Sequence, residues 1–252
     1  MNISGLIITF NEEKNIKKCV EEMLIVCDEV IVIDSNSKDN TVEIASEAGA
    51  KVFSQAYLGD GPQRIFGLQY CKNEWILNLD ADEYLDKDSI EFLKKGEFFN
   101  QANDAYYFRV KNYFQDKLID FAGWYPDSKI RFFNKKTASP SDDKVHQKIL
   151  ATNPKKLKTH ILHYGMHSFY FHLNKKNLYA KWSAEQMYDN GKRVSAFKPV
   201  LNGMVSFFKN YFLKKGLLNG LDGLTFSLTQ AYFSYMKYAN LRLFQKYGKL
   251  EP

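Results

Sequence analysis

The stretch WILNLDADEYLD places several carboxylates directly after a short apolar run. Asp80, Asp82, Glu83 and Asp86 fall close together, and crowded carboxylates repel one another unless water, hydrogen-bond donors or a cation compensates them. Asp80 and Asp82 are two positions apart, so an extended backbone points both side chains the same way. This D-x-D pair suits a hard divalent cation that takes oxygen ligands. A solvated acidic turn, or the first turn of a helix, explains the same short pattern.

The first 80 residues alternate between strand-length apolar runs and segments of helical periodicity. The predicted strands are residues 4–10, 29–33, 51–54 and 74–79. The predicted helices are residues 12–27, with Asn11 as a possible N-cap, 39–49 and 62–71. Alternation with short connections predicts βαβ units and a parallel sheet covered by helices on both faces. Ligands of such sheets bind beyond the carboxyl ends of the strands, which is where Thr9, Asn11, Asp34 and Asp80 fall.

Asp34 ends the second predicted strand. An acid at this place in a nucleotide-binding sheet commonly holds a sugar hydroxyl or a base N–H, and a simple turn aspartate is the alternative. The first strand is followed by TFNEEKNI instead of G-x-G-x-x-G, and no G-x-x-x-x-G-K-[ST] occurs. A nucleotide would therefore be held neither as NAD nor as ATP in a P-loop enzyme.

The two parts of the chain differ in charge. Residues 1–150 carry 19 Lys and Arg against 25 Asp and Glu, whereas residues 151–252 carry 16 against 4. A basic and aromatic surface suits a phosphate-rich partner, either nucleic acid or an anionic membrane leaflet. The three cysteines fit no metal-ligand spacing and indicate reduced thiols in a cytosolic protein. Neither a signal peptide nor an uninterrupted apolar run of membrane-spanning length is recognisable.

Three stretches occur in order over residues 4–86 and resemble the nucleotide-sugar-binding half of family 2 glycosyltransferases, which are inverting enzymes of the GT-A fold. They read IITFNEEKNI, DEVIVIDSNSKDNTVEIASEAGAKV and GPQRIFGLQYCKNEWILNLDADE. WYPDSKIRFFNK, VHQKI and NYFLKKGLLNGLDGLTFSLTQAYFSYMKYA are similar to the subgroup of lipopolysaccharide core β-glucosyltransferases. The resemblance implies a Rossmann-like α/β fold, with a mostly parallel sheet flanked by helices over residues 1–165. A basic, amphipathic helical extension would follow over residues 166–252.

The resemblance also implies roles for the polar residues at the strand ends. Thr9, Asn11 and Glu12 would line the uridine pocket of a UDP-sugar. Asp34 would hydrogen-bond uracil or ribose, and Arg64 would lie near the base or the pyrophosphate.

Asp82 would be the direct ligand of Mg²⁺ or Mn²⁺, with Asp80 beside it and nearer the ribose. The ion would neutralise the pyrophosphate of the leaving UDP. His163 or His167 could supply a third ligand, although a histidine in a stretch rich in Tyr and Phe is more often packed than ligating. Arg131 would point towards the pyrophosphate or hold the acceptor loop, or else it is a surface arginine of a strand.

An inverting transferase also needs a base that takes the proton of the acceptor hydroxyl. Relatives often have an acid after the histidine of the V-H pair, but this chain has Gln147, which cannot serve as a base. Asp127 and His146 are the candidates, with Asp142 and Asp143 less favoured. Asp127 could equally be a turn aspartate after Pro126.

Residues 214–246 place Leu and Tyr at helical spacing beside basic residues. Such a helix can lie on an anionic membrane surface, or pack against the protein's own core. The resemblance implies transfer of a hexose, glucose from UDP-glucose, to a lipid-linked oligosaccharide acceptor, the inner core of lipopolysaccharide. The enzyme would be cytoplasmic and peripherally bound to the inner face of the cytoplasmic membrane. Capsule, another lipid-linked oligosaccharide or a protein glycan are alternative acceptors, while no nucleic-acid-binding motif is recognisable.

Overall fold

The computed structural model describes residues 2–100, 102–143, 147–166 and 168–249. The chain divides into two compact units. The first comprises Met1–Tyr113 and Pro126–Gly165, and the second comprises Phe114–Tyr125 and Met166–Pro252. The segment 114–125 thus groups with the C-terminal helices.

The strands are arranged around a parallel core. In chain order they are β1 (Ile3–Thr9), β2 (Glu29–Asp34), β3 (Lys51–Ser54), β4 (Trp75–Asp80), β5 (Glu83–Leu85), β6 (Ala105–Phe114), β7 (Lys117–Leu118), β8 (Asp127–Asn134), β9 (Ser139–Pro140), β10 (Ile149–Leu150) and β11 (Pro154–Met166). The main sheet of the first unit has the order β3-β2-β1-β4-β8-β6-β11-β5. Its first four strands pair in parallel. Antiparallel pairs then join β8 to β4 and β6, and β11 to β5.

The first four α-helices of the described chain belong to the first unit, and the last three belong to the second. In chain order they are α1 (Ile16–Leu24), α2 (Thr41–Glu47), α3 (Asp60–Leu68), α4 (Lys87–Lys95), α5 (Phe169–Asp189), α6 (Lys198–Phe208) and α7 (Gly220–Tyr247). A π-helical turn, Lys209–Leu213, continues α6, and a 3-10 turn, Gly216–Asn219, precedes α7. The predicted α/β fold with a helical C-terminal extension is confirmed.

Side chains alternate in direction along the central strands and therefore pack into two separate apolar clusters. Ile7 of β1 and Val32 of β2 lie in one cluster with α1, whereas Leu6 and Ile33 lie in the other with α3. Gly67 of α3 packs closely on β1, since a Cβ built on it would lie 2.5 Å from Leu6 Cδ1. Burial on both faces explains why β1 and β2 are continuous apolar runs, and it holds their polar carboxyl ends at one edge.

Two local predictions were wrong. Asn11 is not the N-cap of α1, because that helix begins only at Ile16 and Asn11 adopts a positive φ of 54°. The C-terminal helix predicted from residue 214 begins at Gly220. Lys215 and Gly220 both have positive φ, a conformation that a right-handed helix cannot continue through.

An aromatic cluster around Phe226 of α7 organises the second unit. Its ring centroid lies 5.9 Å from those of Phe121 and Trp124 and 5.6 Å from that of Phe169. The rings thereby fix the segment 114–125 against α5 and α7. Along the described part of the chain, every helix is too short or too polar to cross a bilayer.

Candidate active site

The loops after β1 and β2 are tied together at the carboxyl edge of the sheet. Asn11 donates its backbone N–H to Ser37 Oγ at 2.8 Å, and its Oδ1 accepts from Lys38 N–H at 2.7 Å. The Ser37 hydroxyl and N–H in turn donate to the carboxylate of Asp34. Asp34 is only 1% exposed. The two loops therefore form one polar wall rather than two independent turns.

Thr9 and Glu12 lie beside this wall. Thr9 is the partner of Asp34 in the parallel register, and its buried Oγ1 has no hydrogen-bond partner in the part of the chain that the structure describes. Glu12 donates its N–H to Thr41 Oγ1 at 2.8 Å, which anchors the start of the loop on α2. Gln63, buried on α3, connects the end of β2 to the same edge through a 3.2 Å hydrogen bond to Ser35 Oγ.

Two arginines face the carboxylates at the end of β4. Arg64 of α3 donates to Asp80 Oδ1 and Asn78 Oδ1. Arg131 of β8 donates to Asp80 Oδ2 at 2.8 Å and to Glu83. The arginine side chains are each 5% exposed, and Glu83 is fully buried. Two positive and two negative charges therefore compensate one another, as a buried ionic group requires.

Asp80 stays ionised because of these arginines. Burial alone would raise the pKa of Asp80, but Arg131 and Arg64 hold it well below its usual range. Burial likewise opposes the charge of Arg131, yet Asp80 and Glu83 raise its pKa above the usual value. Arg131 is therefore a buried partner of carboxylates, and not a surface residue of its strand.

Asp82 meets a histidine from β11. His163 Nε2 lies 3.5 Å from Asp82 Oδ2, and Tyr164 N–H donates to the Asp82 carbonyl at 2.9 Å. His163 Nδ1 is 2.7 Å from Asn112 Oδ1, an acceptor, so Nδ1 carries a proton. In a neutral imidazole, Nε2 then presents its lone pair towards the carboxylate. Two acceptors that face each other need a positive charge at their contact, supplied either by a proton on Nε2 or by a metal ion.

Gly165 lets the backbone of β11 approach this pair closely. A Cβ built on Gly165 would lie 2.5 Å from His163 Nε2 and 2.7 Å from Asp82 Oδ2. Adjacent ligands of an octahedral ion at about 2.1 Å are about 3 Å apart, close to the observed separation. The residues thus fit a divalent ion. Across the described ranges, no three His, Cys, Asp or Glu side chains are grouped to hold a metal, so water and phosphate oxygens would complete the coordination, as is usual for Mg²⁺.

Of the two candidate bases, the structure describes Asp127 but not His146. Asp127 begins β8, which runs antiparallel to β4, so it lies at the edge where β4 ends. Its carboxylate makes no hydrogen bond or ion pair with another residue that the structure describes. His146 lies outside the described residues. Gln147 lies within them, and its buried Nε2 has no hydrogen-bond partner there.

The roles of some residues in this site were not predicted from the sequence. Glu83 stood in the acidic stretch, but its burial beside Arg131 was not predicted. Asn112 and Gly165 come from β6 and β11, and their proximity to Asp82 depends on long-range strand pairing. The strand β11 itself was not predicted, although His163 was singled out.

A family model, several relatives and solved structures match this chain. A family model described as "Glycosyl transferase family 2" matches residues 4–176, which include every described site residue above. An uncharacterized glycosyltransferase of Rickettsia felis is 32% identical over 256 residues, covering 95% of this chain and 89% of the relative. The lipopolysaccharide core biosynthesis glycosyltransferase LpsC of Rhizobium meliloti is 28% identical, covering 95% and 91%. The solved structure of S. aureus TarS 1–349 with UDP-GlcNAc has a TM-score of 0.49 at 14% identity, covering 100% of this chain and 93% of TarS.

Proposed function

The chain belongs to glycosyl transferase family 2, and from this premise we propose that it transfers a hexose, glucose from UDP-glucose, to the inner core of lipopolysaccharide or lipooligosaccharide. The observation that carries the proposal is the pair of Asp82 and His163 beside Gly165, at the sheet edge where Asp34 and Asp80 also lie. The name of the Rhizobium meliloti relative supports the class of acceptor.

The donor nucleotide binds at the ends of β1 and β2. The loop carrying Asn11 and Glu12 lines the uridine together with the hydroxyl of Thr9, and Asp34 accepts from uracil or ribose. Asp34 is held for this task by Ser37, so it need not reorganise when the nucleotide arrives. Arg64 and Arg131 fix Asp80 beside the ribose and place positive charge near the pyrophosphate.

Asp82 and His163 would hold Mg²⁺ or Mn²⁺, whereas both carboxylate oxygens of Asp80 accept hydrogen bonds from Arg64 and Arg131. When bound, the ion acts as a Lewis acid that stabilises the charge of the leaving pyrophosphate. Asn112 keeps the proton of His163 on Nδ1 and thereby directs the Nε2 lone pair into the site.

Asp127 is the general base. It takes the proton of the acceptor hydroxyl as that oxygen attacks the anomeric carbon from the face opposite UDP. The new glycosidic bond forms while the bond to the UDP oxygen breaks, so the configuration inverts. The absence of another described partner for Asp127 supports this role, and His146 is the alternative base.

The acceptor is a lipid-linked sugar, which places the reaction at the cytoplasmic face of the inner membrane, with the enzyme peripherally attached to an anionic surface. The excess of basic residues after residue 150 supports such a surface. The same chemistry on capsule, another lipid-linked oligosaccharide or a protein glycan is the second candidate.

Mass spectrometry of the outer-membrane glycolipid from a strain lacking this protein tests the proposal. We expect the core to lose one hexose, and expression of the wild-type chain, but not of the Asp82→Asn variant, to restore it. An unchanged glycolipid in the deletion strain would refute the proposed acceptor.

A further inference from the structure

Helix α6 exposes its apolar side chains instead of burying them. A stripe at helical spacing runs along its outer face and continues into the π-helical turn. Its members are Phe197, Leu201, Met204, Phe208 and Phe212, and each is more than half exposed. Val200 and Val205 flank the stripe and are also exposed. A helix of a protein surrounded by water normally has the opposite arrangement.

The inner face of α6 is correspondingly small and polar. A Cβ built on Gly203 would lie 3.4 Å from Tyr235 Cβ of α7, so Gly203 faces α7. Ser206 Oγ donates to the Gln230 carbonyl of α7 at 3.2 Å, and Asn210, buried, donates to the Ser206 carbonyl. The contacts with α7 therefore fix the rotation of α6 that turns its large apolar side chains outwards.

The exposed apolar surface continues beyond α6. Leu213, Leu217, Leu218 and Leu221 follow it, and three of these four are nearly 80% exposed. The three phenylalanines of the stripe alone expose roughly 370 Å², taking about 200 Å² for each complete side chain. The largest apolar patch of a typical monomer is about 300–600 Å² in total, so the three phenylalanines alone already expose an area of that size, before Met204, the valines and the leucines are added.

All charged side chains of the segment 190–221 are basic, and Asp189 and Asp222 border the segment. Residues 190–221 contain six Lys and Arg and no Asp or Glu. Lys192, Arg193, Lys209 and Lys215 are exposed. Protein partners usually present both signs of charge, whereas an anionic leaflet presents apolar chains beneath a uniformly negative surface. The combination favours a bilayer over a protein as the partner.

We propose that residues 197–221 are the membrane-docking surface of this protein, with the stripe of α6 and the leucines that follow inserted among acidic lipids. The assignment rests on the proposed function, which places the acceptor in a lipid leaflet, and it adds the residues that reach that leaflet. It moves the main contact from the long helix α7, as predicted from the sequence, to α6 and the turns after it.

Co-sedimentation with vesicles tests this assignment. Vesicles of phosphatidylcholine with one third phosphatidylglycerol should bind the wild-type chain, and the doubly substituted variant Leu201→Ser/Phe208→Ser should bind at least about tenfold more weakly. Both side chains are largely exposed, so the variant should keep the thermal midpoint of the wild type. Leu150→Ser, which alters an equally exposed leucine of the first unit, is the matched control and should bind normally.

Charge substitutions test the choice of lipid. Lys192→Gln and Lys209→Gln should each weaken binding to the acidic vesicles about fivefold. Wild-type binding that is absent, or equally strong on neutral vesicles, would overturn the proposal. So would a wild-type dimer that Leu201→Ser/Phe208→Ser converts to a monomer without altering vesicle binding. Hydrolysis of UDP-glucose in vesicle-free buffer, measured on the same variants, reports the transferase proposal separately.

Discussion

The substitution Gly165→Ala should abolish the proposed metal site without unfolding the protein. The added Cβ would lie 2.5 Å from His163 Nε2 and 2.7 Å from Asp82 Oδ2, where about 3.4 Å is needed for ordinary contact. The two atoms lie at the ends of side chains, so they can withdraw by up to about 1 Å. A displacement of that size costs about 100-fold in rate, or about 2.7 kcal/mol of transition-state stabilisation.

Two measurements check this outcome. We expect kcat/KM for hydrolysis of UDP-glucose to fall about 100-fold and the affinity for Mn²⁺ to fall in parallel, while the thermal midpoint stays close to that of the wild type. Gly203→Ala is the matched control, because its new Cβ meets α7 at an ordinary 3.4 Å and a helical site favours Ala over Gly. Hydrolysis and Mn²⁺ affinity within twofold of the wild type in Gly165→Ala would refute the assignment of the metal to Asp82 and His163.

The remaining predictions concern the buried charges and the base. Arg131→Met leaves Asp80 and Glu83 without one cation, so the free energy of unfolding in urea should fall by about 3–5 kcal/mol; a loss below 1 kcal/mol would contradict the ionic account. The folded pKa of Asp80 is depressed, so its stabilisation is complete above the unfolded value of about 3.9 and is lost as the pH falls further. Stability should therefore decline less steeply below about pH 4 in Asp80→Asn than in the wild type, and equal slopes would argue against it. Asp127→Asn should lower kcat for transfer by about 10²–10⁴ while UDP binding persists; unchanged transfer would exclude it as the base.

The sequence was sufficient for features that depend on local patterns. The buried apolar runs of β1, β2 and β4 each extend over only a few residues. The helical periodicity of α1 to α3 likewise extends over only a few turns. Parallel pairing then brings Thr9, Asp34 and Asp80 to one edge, since the carboxyl ends of parallel strands share it.

Features that depend on distant pairing could not be predicted in the same way. Arg131 reaches Asp80 only because β8 runs antiparallel to β4, and the partnership of His163 with Asn112 joins β11 to β6. Helical periodicity alone likewise shows that α6 has an apolar face. Which way that face points depends on the contacts of Gly203 and Ser206 with α7.

Transfer of a hexose by the purified protein tests the proposed reaction most directly. Lipooligosaccharide isolated from the deletion strain would be incubated with UDP-glucose and Mn²⁺, and the intact glycolipid would be weighed by mass spectrometry. We expect a gain of one hexose that disappears with EDTA or in Asp82→Asn. A glycolipid of unchanged mass, in a reaction where the same enzyme hydrolyses UDP-glucose, would contradict it.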